Sequence, residues 1–153
     1  MKQCHNISVR VFARQREDTD RIKETLVGLF LFDLEKEKVK PHEIRTKSAD
    51  EKTDIFIYEI SLNKDRLINK FLGSLNSRLN ADQKALLLRQ ENRLDQEGNF
   101  FIRLDKPRLL EGIFRITDSG NCFHIRMCIA AYPKTRDACL AKIREIFKID
   151  QVK

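Results

Sequence analysis

Between Asn6 and Arg14 the chain alternates, with Ile7, Val9 and Val11 on one side of an extended backbone and Ser8, Arg10 and Phe12 on the other. Period-two patterning of this kind predicts a strand with one face in water. Asp18 or Thr19 then opens a helix, because Ile22, Leu26, Leu29 and Phe30 recur three and four residues apart. Residues 33–40 are highly charged and read as a turn or strand approach, and residues 41–44 as a weak extended stretch. Residues 46–52 are polar without periodicity and read as an exposed loop, and a strand is predicted over 54–62.

The middle of the chain is helical in pattern. Leu67, Ile68, Phe71, Leu72 and Leu75 share a helix face over 64–75, and Asn80 with Gln83 forms a capping box ahead of Leu86, Leu87 and Leu88. A turn at 96–99 leads to a strand over 100–105, and Pro107 begins a short turn or one-turn helix. A strand at 112–117, a tight hairpin at Asp118-Ser119-Gly120-Asn121 and a strand at 122–130 follow. Cys139, Ile143, Ile146 and Phe147 predict a closing helix after Pro133. About six strands and four helices, with no repeat and no linker, predict a single α+β domain over 1–153. Its expected form is a two-layer sandwich, a mixed or antiparallel sheet with helices packed on one face.

Assigning faces to the strands separates two chemistries. Ile7, Val9, Val11, Phe100, Ile102, Leu104, Phe114, Ile116, Phe123, Ile125, Met127 and Ile129 form an apolar set that can bury against helices. The opposite set contains Arg10, Phe12, Phe101, Arg103, Ile113, Arg115, His124, Arg126 and Cys128. Guanidinium groups pair with phosphate in a two-pronged fashion and stack on bases, and phenylalanine offers a flat platform to unpaired bases. Three readings of this face stand side by side: an RNA-binding surface, a dimer interface, where arginine and aromatics are also enriched, and a solvated strand face. Lys106 and Arg108 follow the fourth strand, and Lys134 and Arg136 surround the start of the last helix, where backbone amides could also hold a phosphate. Arg14 and Arg16 flank the end of the first strand.

Charge sharpens this picture. The chain carries 30 Lys+Arg against 23 Asp+Glu, a net +7. Residues 1–50 hold 11 basic and 9 acidic side chains, residues 51–100 hold 8 of each, and residues 101–153 hold 11 and 6, so most of the excess falls in the last third. That excess favours a polyanionic partner. The longest apolar run, Leu26 to Phe32, falls far short of the roughly 18 residues a membrane span needs, and no secretory signal is read at the N-terminus. No membrane partner and a cytoplasmic location are expected.

Catalytic signatures are not found: GxGxxG, GxxxxGK[ST], HExxH and GxSxG all fail to match. Asp95, Asp105 and Asp118 would suit a magnesium site for phosphodiester chemistry, but such residues also cap turns. Cys4, Cys122, Cys128 and Cys139 show no CxxC pair, and Cys4 and His5, being adjacent, point to opposite faces of a strand. No metal or other cofactor is expected.

The run His5-Asn6-Ile7-Ser8-Val9-Arg10-Val11-Phe12 resembles the opening strand of an archaeal family of small proteins described as predicted RNA-binding proteins or exosome subunits. The resemblance continues through Leu87-Leu88-Arg89-Gln90, Arg93-Leu94-Asp95, Gly98, Phe101-Ile102-Arg103-Leu104-Asp105-Lys106, Leu110-Glu111-Gly112, Thr117-Asp118-Ser119-Gly120, Ile125-Arg126 and Tyr132-Pro133. It spans nearly the whole chain, and the order and spacing of these pieces carry it. The resemblance implies a fold similar to the large-subunit ribosomal protein that binds 5S ribosomal RNA, an archaeal source, and RNA binding without catalysis. Ala49-Asp50-Glu51-Lys52-Thr53 stands where a Gly-Asn-Pro-type segment is expected, which shifts attention to the Arg103–Pro133 region.

The sequence therefore predicts a non-catalytic RNA-binding protein, an accessory subunit in RNA processing or a ribosome-related assembly, with RNA as partner. Its expected contacts are Arg10, Phe12, Phe101, Arg103, Lys106, Arg108, Arg115, Arg126, Lys134 and Arg136. The alternative is a protein-interaction subunit or homodimer whose Arg/Phe face is a protein contact.

Overall fold

Four strands follow from the alternation: β1 (Cys4–Arg14), β3 (Asp54–Leu62), β4 (Asn99–Asp105) and β5 (Cys122–Ile129). A fifth, β2 (His42–Lys47), has every side chain exposed. In this computed structural model, which describes residues 2–148, the five strands form an open antiparallel sheet in the order β2-β3-β1-β5-β4. Five helices accompany it: α1 (Thr19–Gly28), α2 (Asp65–Arg78), α3 (Ala81–Arg89), α4 (Lys106–Leu110) and α5 (Arg136–Ile146). The class is α+β, in keeping with a two-layer sandwich. The chain divides into two compact units, one of residues 2–7, 62–102 and 126–148 and one of residues 8–61 and 103–125.

The unit of residues 8–61 and 103–125 is built on the buried side of its strands. Val9, Val11, Ala13, Ile60, Leu104, Phe123 and Ile125 are all fully buried, and α1 adds Ile22 and Leu26. Apart from the smaller Ala13, each of these buried side chains contributes about 2 kcal/mol, so this stripe fixes which strand face turns inward. Asp18 caps α1 by accepting the Arg21 N–H at 3.1 Å.

In the unit of residues 2–7, 62–102 and 126–148, Leu67, Ile68, Phe71, Leu72 and Leu75 of α2, Leu87 of α3 and Ile143 of α5 are buried. Phe100 and Phe147 meet with ring centroids 6.2 Å apart. The capping box at Asn80 is complete, since Asn80 Oδ1 accepts the Gln83 N–H at 2.8 Å and Gln83 Oε1 accepts the Asn80 N–H at 2.9 Å.

Two departures from the sequence pattern matter for the site. The strand expected at 112–117 is an isolated bridge between Leu104 and Ile116. The physical reason is Gly112, which ends α4 in the left-handed region at φ +82° with its N–H on Leu109 O. Conversely, β2 occupies a stretch read as weakly extended and loop. It pairs with β3 from His42–Glu59 to Lys47–Asp54. No apolar stripe announces it, because no side chain of this edge strand is buried.

Candidate nucleic-acid interface

The register of β2 against β3 sorts the side chains of the second unit by face. Directly opposed residues share a face, so Ile44 lies with Ile57 and Thr46 with Ile55, while Arg45 lies with Phe56 and Lys47 with Asp54. Arg10 of β1 pairs with Glu59 at 2.6 Å and so belongs to the Ile55–Ile57–Glu59 face. Phe12, two residues on, is 46% exposed, and Arg14 is exposed as well. The cations of the opposite face are matched internally. Asp54 takes Arg45 on one oxygen and Lys47 Nζ at 2.7 Å on the other, the latter a charge contact out of line for a hydrogen bond. Lys47 and then Arg45 hold the Asp54 carboxyl below the usual carboxylate range.

The end of β1 is pinned from beneath by Lys106. This lysine is 5% exposed. Its Nζ donates to Phe12 O at 2.8 Å and lies 3.0 Å from Glu17 Oε2. Glu17 also accepts the Arg14 N–H at 2.9 Å. Burial alone would raise the Glu17 carboxyl, but the Arg14 N–H and the Lys106 ammonium together hold it below its ordinary value. Lys106 thus sits inside the unit, fixing the backbone that presents Phe12 and Arg14.

At the edge of β4, Asp105 N–H donates to Arg115 O at 2.8 Å and Thr117 N–H to Arg103 O at 2.9 Å, enclosing the Leu104–Ile116 bridge. Leu104 is fully buried, so Ile116 shares the inward face and Arg115 turns to the side of Arg103 and Asp105. Arg103 donates to Asp118 O at 2.9 Å. Arg108 meets Glu111 at 3.6 Å, an exposed i,i+3 pair worth little. Arg16 and Arg115 are exposed and make no ion pair among the described residues.

Around Arg14 and Arg16 lie two cavities of about 670 Å³ each. One is walled by Gln15, Ser48, Ala49, Asp50 and Thr53, the other by Phe12, Glu17, Lys106, Gly120 and Asn121. Both share Arg14, Arg16 and Ile55. In the sequence Arg14 and Arg16 read as flanking charge, and the Ala49–Thr53 segment points attention elsewhere. Only tertiary structure brings these segments together, through the Gln15 N–H on Asp54 O at 3.2 Å.

In the first unit, Phe101 is half-buried and Arg126 exposed. Arg126 has no ion pair among the described residues. Arg136 donates to Leu94 O at 3.1 Å and to Glu91 O at 2.8 Å, so its guanidinium closes off backbone carbonyls. Lys134 is exposed, with its Cε against Gly98. Tyr132 is 99% exposed.

Two of the carboxylates that would suit magnesium, Asp95 and Asp105, do turn and cap chemistry. Asp95 accepts from the Glu97 and Asn99 N–H groups, and Asp105 caps α4 through the Arg108 N–H. Burial pushes the Cys4 thiol up to about 12, with Cys128 adding to the shift and Lys142 opposing it. Among the described residues no cluster of three or more His, Cys, Asp or Glu side chains could hold a metal ion. Among the described residues no helix is long and apolar enough to cross a membrane.

A Pyrococcus abyssi protein named RNA-binding protein PAB1135 is 29% identical over 144 residues, 94% of this chain and 93% of that protein. The structure of a DUF54 protein from Methanothermobacter thermautotrophicus superposes with a TM-score of 0.77 at 24% identity, covering 96% of this chain and all of that one. A protein from Archaeoglobus fulgidus superposes with a TM-score of 0.81 at 22% identity, covering 94% of this chain and 99% of that one. Those two likenesses establish the fold. A family model described as RNA binding matches residues 6–129, and the chain belongs to that RNA-binding family.

Proposed function

We propose that this protein binds RNA without catalysis, as an accessory subunit in RNA processing or in a ribosome-related assembly of the cytoplasm. The family membership supports the first part. The single structural observation that carries the reading is the exposed face of residues 8–61 and 103–125, where Arg10, Phe12, Arg103 and Arg115 stand in water. Guanidinium groups beside a flat aromatic surface are what phosphates and unpaired bases require. Arg103 and Arg115 contact phosphate, Phe12 stacks and Arg10 supports it. Arg108 adds long-range attraction. In the other unit Arg126 and Lys134 add phosphate contacts and Phe101 a smaller apolar one. Lys106 and Arg136 act by holding backbone in place.

The test is binding of labelled RNA across a salt series. Affinity should fall steeply with salt, with a log–log slope of about −0.7 for each phosphate contact on a single strand. Arg115→Ala combined with Arg126→Ala should weaken binding and flatten the slope. Unchanged binding in that double variant would remove the proposed face. A stable dimer that binds no RNA would instead make the Arg/Phe surface a protein contact.

A further inference from the structure

We propose that the paired cavities at the end of β1 form a seat for one unpaired nucleotide of an RNA strand, with the base against Phe12 and Ile55 and the flanking phosphates on Arg14 and Arg16. This rests on the RNA-binding reading and names the kind of RNA that this end of the molecule takes.

Three observations carry it. First, the shape is concave. Each cavity is about 670 Å³, within the range of small-molecule sites. A continuous duplex keeps its bases stacked inside and can offer such a hollow only its phosphates, whereas an unpaired nucleotide can enter it. Second, the lining is mixed in the way a nucleotide is mixed. Phe12 and Ile55 give a flat apolar wall, and Asn121 and Gln15 bring amide-bearing side chains to the rim. Arg14 and Arg16 line both hollows. Of the acids nearby, Glu17 is matched by Lys106, whereas Asp50 has only the neutral Ser48 Oγ and Lys52 N–H as partners and keeps its charge. Asp50 also disfavours a phosphate in its own hollow, which places the base beside Phe12 and the phosphates on the arginines between.

Third, the walls are already built. The β2–β3 loop is closed by Ser48 N–H on Thr53 O at 2.9 Å and Glu51 N–H on Ser48 O at 2.8 Å. Lys106 holds Phe12 O, and Gln15 ties the end of β1 to Asp54. A preformed seat spends little of its binding energy on ordering. The loop between β2 and β3 is therefore a wall of this seat.

The experiment measures anisotropy of the full chain with a labelled single-stranded oligoribonucleotide and with a blunt RNA duplex, each over a salt series. Wild type should prefer the single strand. Arg14→Gln with Arg16→Gln should lower single-strand affinity about tenfold and flatten the salt slope by about 0.7 for each phosphate lost. Phe12→Ala should lower affinity about fivefold or more with the slope unchanged, the signature of lost stacking. All these side chains are exposed, and circular dichroism with thermal melting verifies the fold of each variant. Wild-type affinity in both variants, with wild type still binding RNA, overturns the seat and leaves the RNA reading standing. Equal affinity for strand and duplex overturns it in favour of phosphate contact alone. No RNA binding by wild type removes both proposals, and a dimer dissociated by Phe12→Ala assigns the hollow to protein contact.

Discussion

The two units differ in how the basic residues around their candidate contacts are held. In the unit of α2, α3 and α5, Arg136 is turned onto the carbonyls of Leu94 and Glu91 and Lys134 packs on Gly98. In the unit of α1 and α4 Lys106 is taken inside, while Arg14, Arg16 and Arg115 face water. The difference teaches that cation count does not locate a polyanion site. The last third of the sequence holds most of the charge excess, yet several of its cations close off carbonyls or pair with neighbours. The first third, nearly neutral by count, supplies the arginines that line the cavities. What matters is which charges are left over once internal partners are assigned.

The most direct way to break this contrast is Lys106→Met. It removes the donor to Phe12 O and leaves half-buried Glu17 without its cation, so stability should fall by about 3 kcal/mol. A melting temperature lowered by roughly 6–12 °C would register it, and a variant as stable as wild type would show that the pin carries no weight. Next in size is a glycine pair, one from each unit. Gly98 has φ +85°, and an added Cβ would stand 3.2 Å from Lys134 Cε, whereas Gly112 at φ +82° has open space. Gly98→Ala should cost about 2 kcal/mol and Gly112→Ala about 1 kcal/mol in denaturant unfolding. Equal costs would mean that Lys134 simply moves aside.

A third comparison separates the two uses of arginine. Arg136→Gln should lower stability by about 1 kcal/mol with RNA affinity unchanged, and Arg115→Gln should do the reverse. If Arg136→Gln changes only affinity, its assignment as an internal support fails. The smallest effect concerns acid. Because the folded Glu17 value lies below its ordinary 4.5, its stabilisation is present above that pH. It is lost as pH falls through the lower folded value. Glu17→Gln should therefore flatten the acid limb of the stability–pH curve, while leaving the neutral region's shape as it was.

Much of this fold can be read from local pattern. The alternation of β1, the apolar stripe of α2 and the Asn80 capping box are short-range signals, and each element stands within a few residues of its predicted place. Elements held by distant partners resisted that reading. β2 owes its pairing to β3 and to Asp54, not to any stripe of its own. Residues 112–117 have the alternation of a strand, but the left-handed Gly112 and the turn after α4 leave only one bridge. The candidate site follows the same rule. The Arg/Phe alternation is local and legible, but burial of Lys106 and the meeting of Arg14 with Ser48–Thr53 depend on contacts far apart in sequence.

One feature gives the protein a built-in optical handle. The chain has no tryptophan and two tyrosines, one in each unit. Tyr58 is 4% exposed and Tyr132 99% exposed. Burial raises the Tyr58 phenol, with Lys23 opposing the shift. Emission from the two rings should therefore differ sharply in quenching by acrylamide. A change in the protected fraction reports on the unit of α1 and α4, and a change in the quenched fraction on the other, with no label attached.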